Sequence, residues 1–328
     1  MTSKRERLQA VIRGEVADRL PVALWRHFPV DDQDPLQLAQ STLAFQREFD
    51  FDLVKVTPAS SFCVRDWGVT DRWEGNPEGT RRYVQRAVTR PEDWPRLTAL
   101  PSDSPSLRAQ LECIREVVTG IADEAPVVQT VFSPLAQAKN LAGEEVLFEH
   151  LHSSPGLVLE ALKTITQTTV TFVEAARAAG IEGIFYAIQH ASYRFFDWEG
   201  YARFGEPFDR RILEAASGLG FNLLHLHGKS VIFELASQYA VEIVNWHDRE
   251  TPPSLAEARG RVRGAVCGGL QREATMVLGD PEAVQTEAEA AMRSVAGRGL
   301  LLGTGCVTPV HAPRANLMAA RRSVESCA

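Results

Sequence analysis

Short apolar runs alternate with amphipathic stretches along the chain, and their order predicts the fold. Eight runs read as buried strands: LPVALW (20–25), FDLVKV (51–56), PVVQTVF (126–132), IEGIFYAI (181–188), FNLLHLH (221–227), VEIVNW (241–246), GAVCGG (264–269) and GLLLG (299–303). Helical periodicity fills the intervals. In SSPGLVLEALKTITQTTVTFVEAARAAG, Pro155 stands near the first turn. Leu159, Leu162, Ile165, Thr169, Phe172 and Val173 recur on one face, and Gly180 supplies the stop. In GDPEAVQTEAEAAMRSVAG, Asp280 is placed to cap a helix with Pro281 at its first position. The N-terminal MTSKRERLQAVIRGE reads as a further amphipathic helix, capped by Thr2 or Ser3.

Strand–helix alternation predicts a parallel sheet with helical crossovers. Eight such units predict an α/β fold, a single (β/α)8 TIM barrel spanning residues 1–328. One segment breaks the pattern. DRWEGNPEGTRRYVQRAV (71–88) alternates around NPEG, which is hairpin chemistry, so a β-hairpin insertion after the second strand is expected. The chain shows no repeat, no low-complexity segment and no linker that would divide it.

Charge and composition narrow the function classes. A net charge of -7 argues against a nucleic-acid backbone as partner, and the basic runs KRER and RVRG are too short to reverse that. No window approaches the eighteen or so apolar residues of a membrane span. The N-terminus also lacks the apolar core of a signal peptide. The five cysteines (63, 113, 267, 306, 327) are odd in number and scattered, which argues against a disulfide framework and for a cytoplasmic protein.

In such a barrel the C-terminal strand ends face the active site. Those ends carry Arg26 and His27, Lys55, His190, His225 with His227, His247 with Asp248, and Cys306. With His311 included, six of the eight histidines fall there, which points to chemistry at that end. Residues two apart on a strand point the same way, so His225 and His227 can share one ion. His150 and His152 have the same spacing in a helical segment, where they diverge by about 200°, and are expected to be solvated.

Two imidazoles and the Cys306 thiolate form a donor set suited to Zn2+, with the fourth position open as in catalytic sites. The alternative is a pair of satisfied core histidines. Arg26 and Lys55 are placed either to seat a substrate carboxylate or sulfonate, or to pair with acids such as Asp52. His190, His247 and Asp248 are candidates for general acid/base work or for a fourth ligand, with Asp248 alternatively orienting His247. Cys267 reads as a small packing residue and His311 as a loop residue.

The segments SKRERLQAVIRGEVADRLPVALWRH, FDLVKVTPASSFCVRDWG, FSPLAQAKNLAG and GLLLGTGCVTPVHAPRANLMAARRSVE together resemble the uroporphyrinogen decarboxylase superfamily, almost end to end. That resemblance implies a (β/α)8 barrel and two kinds of activity: porphyrinogen decarboxylation, or zinc-dependent methyl transfer from a corrinoid protein to a thiol such as coenzyme M. The decarboxylase pattern is lost at its key positions. Arg26 keeps the first arginine, but Val30 stands at the second. Ala59 stands at the catalytic aspartate, Cys306 at the GHG histidine, and Asn140 near the active-site tyrosine, which places Asn140 and His27 among the candidate substrate contacts.

The methyltransferase branch fits better. Its His-x-Cys pair and later Cys match His225, His227 and Cys306 at the same spacing, with histidine replacing one cysteine. One thiolate with two neutral imidazoles leaves Zn2+ formally +1, so the site would acidify a bound thiol or water more and leave a bound thiolate less nucleophilic. The expected partners are a small thiol or acidic substrate and methylcobalamin or a corrinoid protein as donor. Zinc-dependent lyase or hydrolase chemistry on a small acidic substrate is the alternative, and a metal- or corrinoid-binding accessory role is a third.

Overall fold

The computed structural model describes residues 2–325. Its strands are β1 (Val54–Val56), β2 (Thr70–Arg72), β3 (Arg82–Gln85), β4 (Val127–Phe132), β5 (Gly183–Ile188), β6 (Leu223–Leu226), β7 (Ile243–Trp246), β8 (Ala265–Leu270) and β9 (Leu300–Thr304). Seven of them form one parallel sheet in the order β1-β4-β5-β6-β7-β8-β9, with helices as crossovers. Every residue of those seven strands is buried, as expected of a parallel sheet covered on both faces. The result is a curled, TIM-barrel-like α/β architecture.

The first expected strand, 20–25, is reduced to a single bridge between Val22 and Leu302. The Ala23 N–H donates to the Leu302 carbonyl, and the Leu302 N–H donates to that of Pro21, each at 2.9 Å. On the other side the Asp52 N–H donates to the Val22 carbonyl. A longer ladder does not form for two reasons. Pro21 has no N–H to give, and the Val22 N–H goes to the Asp52 carboxylate at 2.9 Å rather than to a strand carbonyl. Between β1 and β4, β2 and β3 pair antiparallel with a register shift at Thr70/Asp71.

Helix boundaries follow the capping chemistry. Ser3 and Glu6 form a capping box at the head of Lys4–Ile12. Pro155 opens the helix Pro155–Ala178, and the Asp280 carboxylate accepts from the Ala283 N–H at the start of Pro281–Ser294. Asp52, fully buried, is gripped by Arg7 at 2.7 Å and Arg19 at 2.8 Å, so it pairs with neither Arg26 nor Lys55. A second buried carboxylate, Asp209, accepts from the phenols of Tyr186 and Tyr201 at 2.6 Å and of Tyr239 at 2.9 Å.

One surface expectation is corrected. His150 is buried, because the Trp94 indole N–H, brought in by the 3-10 segment Pro91–Arg96, donates to its Nδ1 at 3.0 Å. His152, on the same helix, is exposed. Cys63, Cys113, Cys267 and Cys306 are free and buried, and Cys327 lies outside the described residues. No helix among the described residues is long and apolar enough to cross a membrane.

Candidate metal centre

The strand ends bring four side chains to one point. His225 lies within β6 and His227 just beyond it, His247 follows β7, and Cys306 follows β9. Their ligand atoms all lie within 4.8 Å of one another. His227 Nδ1 stands 3.4 Å from His225 Nε2, 3.3 Å from His247 Nε2 and 3.7 Å from Cys306 Sγ. A tetrahedral zinc site with Zn–N near 2.05 Å and Zn–S near 2.3 Å has N···N edges of roughly 3.3 Å and N···S edges of roughly 3.6 Å. The three separations that meet at His227 match those edges, and the imidazole and thiolate donors suit such an ion; the remaining pairs lie within 4.8 Å.

Strand register explains how the first ligand is aimed. His225 on β6 stands directly beside Asn245 on β7, and Asn245 beside Cys267 on β8. The Asn245 amide donates to the carbonyls of Cys267 at 2.9 Å and Thr304 at 3.1 Å, which fixes which end is oxygen. That oxygen lies 2.6 Å from His225 Nδ1, so Nδ1 carries the proton and donates. Nε2 is left with its lone pair directed at the cluster. The His225 ring also lies on Phe185, with centroids 5.1 Å apart.

His247 is held less firmly. Its Nδ1 has no hydrogen-bond partner, and Glu250 Oε2 is 3.6 Å away. Asp248 does not orient it. The Asp248 carboxylate accepts instead from the Gly269 N–H at 3.0 Å, and its burial pushes the carboxyl up to about 7. Burial alone would raise the Cys306 thiol, but the three imidazoles, His225 foremost, outweigh it and hold the thiol well below the ordinary cysteine range.

A cavity of about 80 Å3 opens beside the cluster, lined among others by Trp25, His27, Lys55, Glu78, His227 and Cys306. Lys55 lies with its ammonium 4.4 Å from the Phe185 ring centroid and donates to the Thr57 hydroxyl at 3.1 Å. Burial lowers it to about 7. His27 is buried with Nδ1 unpartnered, and burial, aided by Lys55, lowers it to about 3. Glu78 is the one carboxylate on the cavity wall among the described residues. It sits at the tip between β2 and β3 and pairs with the buried Arg272. The tip is further tied by the Val310 N–H to the Pro77 carbonyl at 2.9 Å. Gly79, at φ +81°, lies so close that a Cβ there would stand 2.4 Å from His27 Cβ.

Other expected residues lie elsewhere. Arg26 points away from the cavity, its guanidinium 5.4 Å from the Phe28 ring centroid and 5.1 Å from that of Phe45. Asn140 is buried behind Ser60, with Nδ2 3.5 Å from the Ser60 carbonyl, and does not line the cavity. His190 is buried against Phe148 and Phe195 and lines a neighbouring cavity. Cys267 is a packing residue within β8, its thiol raised by burial. His311 is exposed in a turn. Sequence reasoning passed over Asn245, Glu78 and Arg272. Only Asn245 carried a signal, as an amide interrupting the apolar run VEIVNW.

Comparison with known proteins adds three findings. The profile of the family Uroporphyrinogen decarboxylase (URO-D) matches residues 3–327. Two curated relatives are each named Methylcobamide:CoM methyltransferase MtbA. The one from Methanosarcina mazei is 22% identical over 333 residues and that from Methanosarcina acetivorans 21% identical over 331, each alignment covering 95% of both chains. Among solved structures, a methyltransferase from Methanosarcina mazei superposes with a TM-score of 0.85 at 17% identity, covering 100% of this chain and 99% of that one. A B12-independent methionine synthase from Shewanella sp. W3-18-1 superposes at 0.60 and 14% identity, covering 97% and 98%.

Proposed function

The chain belongs to the uroporphyrinogen decarboxylase family, on the side of its methyltransferases, and from that premise we propose that it moves a methyl group from a corrinoid to the sulfur of a small thiol. The supporting observation is the cluster of His225, His227, His247 and Cys306, whose three separations at His227 match the edges of a tetrahedral zinc site. In this reading those four residues hold Zn2+ and the chain is one domain, with residues 20–25 as the eighth stave of its barrel and the β2–β3 hairpin as an insertion. The bound ion supplies Lewis acidity that favours the thiolate form of a substrate sulfur near neutral pH.

The protein's own groups do the rest. Asn245 keeps the His225 tautomer and ring fixed, so this ligand stays in place through turnover. His247, which lacks such an anchor, would be the least firmly held of the four residues around a bound ion. Lys55 and His27 line the approach to the centre. The Trp25 and Phe185 rings keep water away from the sulfur. The substrate sulfur attacks the methyl carbon, a C–S bond forms, and both electrons of the cobalt–carbon bond remain on cobalt. His225 and His227 are both neutral donors, so the site charge stays one unit more positive than with a second thiolate.

The test has two parts. Purified protein should carry about one zinc per chain, lost in Cys306→Ser, and zinc-loaded protein should demethylate methylcobalamin only when a thiol is present. Protein that takes up no metal even when supplied ends this reading. Turnover that needs no thiol acceptor moves the assignment to lyase or hydrolase chemistry.

A further inference from the structure

A second cavity, of about 260 Å3, adjoins the one beside Cys306, and Gln189 and His227 line both. Its wall carries three cationic side chains, Lys139, Arg194 and Lys229, against one carboxylate, Glu144. Glu144 is half exposed and lies 4.0 Å from His190 Nε2. None of the three cations has an ion-pair or side-chain hydrogen-bond partner among the described residues. His190 is 1% exposed, yet its Nδ1 is unpartnered. The Gln189 amide oxygen is likewise buried without a partner, so rotating that amide offers an N–H instead. Burial and Arg86 lower the Lys139 ammonium to about 8, outweighing the opposite pull of Glu144. Arg194 and Lys229 reach solvent, but the partly buried Lys139 ammonium and the unpartnered buried polar atoms of Gln189 and His190 are costly in this hollow unless a polar, anionic group completes them.

We propose that this cavity seats a compact oxyanion (carboxylate, sulfonate or phosphate) on the small molecule whose other end reaches the Cys306 centre. Lys139 and Arg194 are its counter-charges, and the rotated Gln189 amide is its N–H donor. The link to the centre rests on the function proposed above. The oxyanion seat itself stands on the geometry of this cavity alone. It also places the acidic end of the substrate across His227 from Lys55, where neither Arg26 nor Asn140 takes part.

Inorganic sulfate is the probe, titrated calorimetrically at low ionic strength into zinc-free protein, so that no metal holds the anion. Wild type should bind sulfate saturably at one site. Lys139→Gln should weaken it at least tenfold, and Lys139→Arg should restore it to within threefold, which separates lost charge from misfolding. With zinc-loaded protein, 3-mercaptopropionate should bind at least tenfold tighter than its amide and compete with sulfate. No saturable sulfate binding, a Lys139→Gln variant within threefold of wild type, or binding of the mercapto acid without competition would each overturn the proposal. Sulfate binding without zinc uptake would end the zinc reading and leave this seat standing. Zinc uptake without sulfate binding would end the seat alone.

Discussion

Asn245 makes two separable contributions, so replacing it is an informative perturbation. Its oxygen sets the His225 tautomer from 2.6 Å, and its amide N–H groups tie β7 to the carbonyls of Cys267 and Thr304. In Asn245→Leu both are lost at nearly constant volume. Withdrawing three buried hydrogen bonds should cost roughly 2–4 kcal/mol of stability. Losing the partner of a metal-bound imidazole typically costs 10–100-fold in metal affinity, or about 1.4–2.8 kcal/mol. Asn245→Asp keeps the acceptor for His225 Nδ1–H but presents an oxygen to the two carbonyls. It should therefore lose stability as Asn245→Leu does while holding zinc within about threefold of wild type. The assays are urea denaturation of zinc-free protein and zinc competition against a chromophoric chelator. If Asn245→Leu unfolds more easily yet binds zinc as wild type does, the amide only staples strands and the argument about His225 is wrong.

Three further outcomes follow from the same structure. His225→Ala should abolish stoichiometric zinc binding, whereas His247→Ala should retain it with an affinity loss of about tenfold, because only His225 has a fixed partner; equal losses would contradict a less firmly held His247. Burial raises the Asp209 carboxyl from 3.8 to about 6, so folding takes up a proton between those values, and the contribution of this group falls as pH rises from 4 to 6. Relative to wild type, Asp209→Asn should gain about 3 kcal/mol over that interval by denaturant titration at each pH, and parallel curves for the two proteins would refute it. Gly79→Ala puts a Cβ against His27 in a left-handed backbone conformation, so it should cost roughly 1–3 kcal/mol and speed proteolysis near residues 76–80; unchanged cleavage would show that the tip is not held as described.

Much of this was legible in the chain because strands buried on both faces advertise themselves as apolar runs. Seven of the eight runs became strands. The eighth shrank because Pro21 lacks a donor and because a carboxylate thirty residues along the chain captured the Val22 N–H, a competition that no local pattern displays. The His225/His227 pair was readable from its spacing of two. The same parity explains the misplacement of Arg26: Trp25 and His27 line the cavity, so the residue between them faces the other way. His150 was misjudged because its partner, Trp94, comes from a distant 3-10 segment. The role of Asn245 depends on which residue stands beside it across β6, β7 and β8, and register between parallel strands is invisible until the sheet is built.

The centre draws its donors from residues 225, 227, 247 and 306, so no ribosome-bound fragment ending before Cys306 can assemble it. With the proposed zinc bound there, metallation would be a late event in biogenesis, and it would clasp the final third of the chain to itself. An ion bound at a thousandfold excess over its dissociation constant adds about 4 kcal/mol to the folded state. Cells short of zinc would consequently clear this polypeptide faster, and its abundance would report the metal supply.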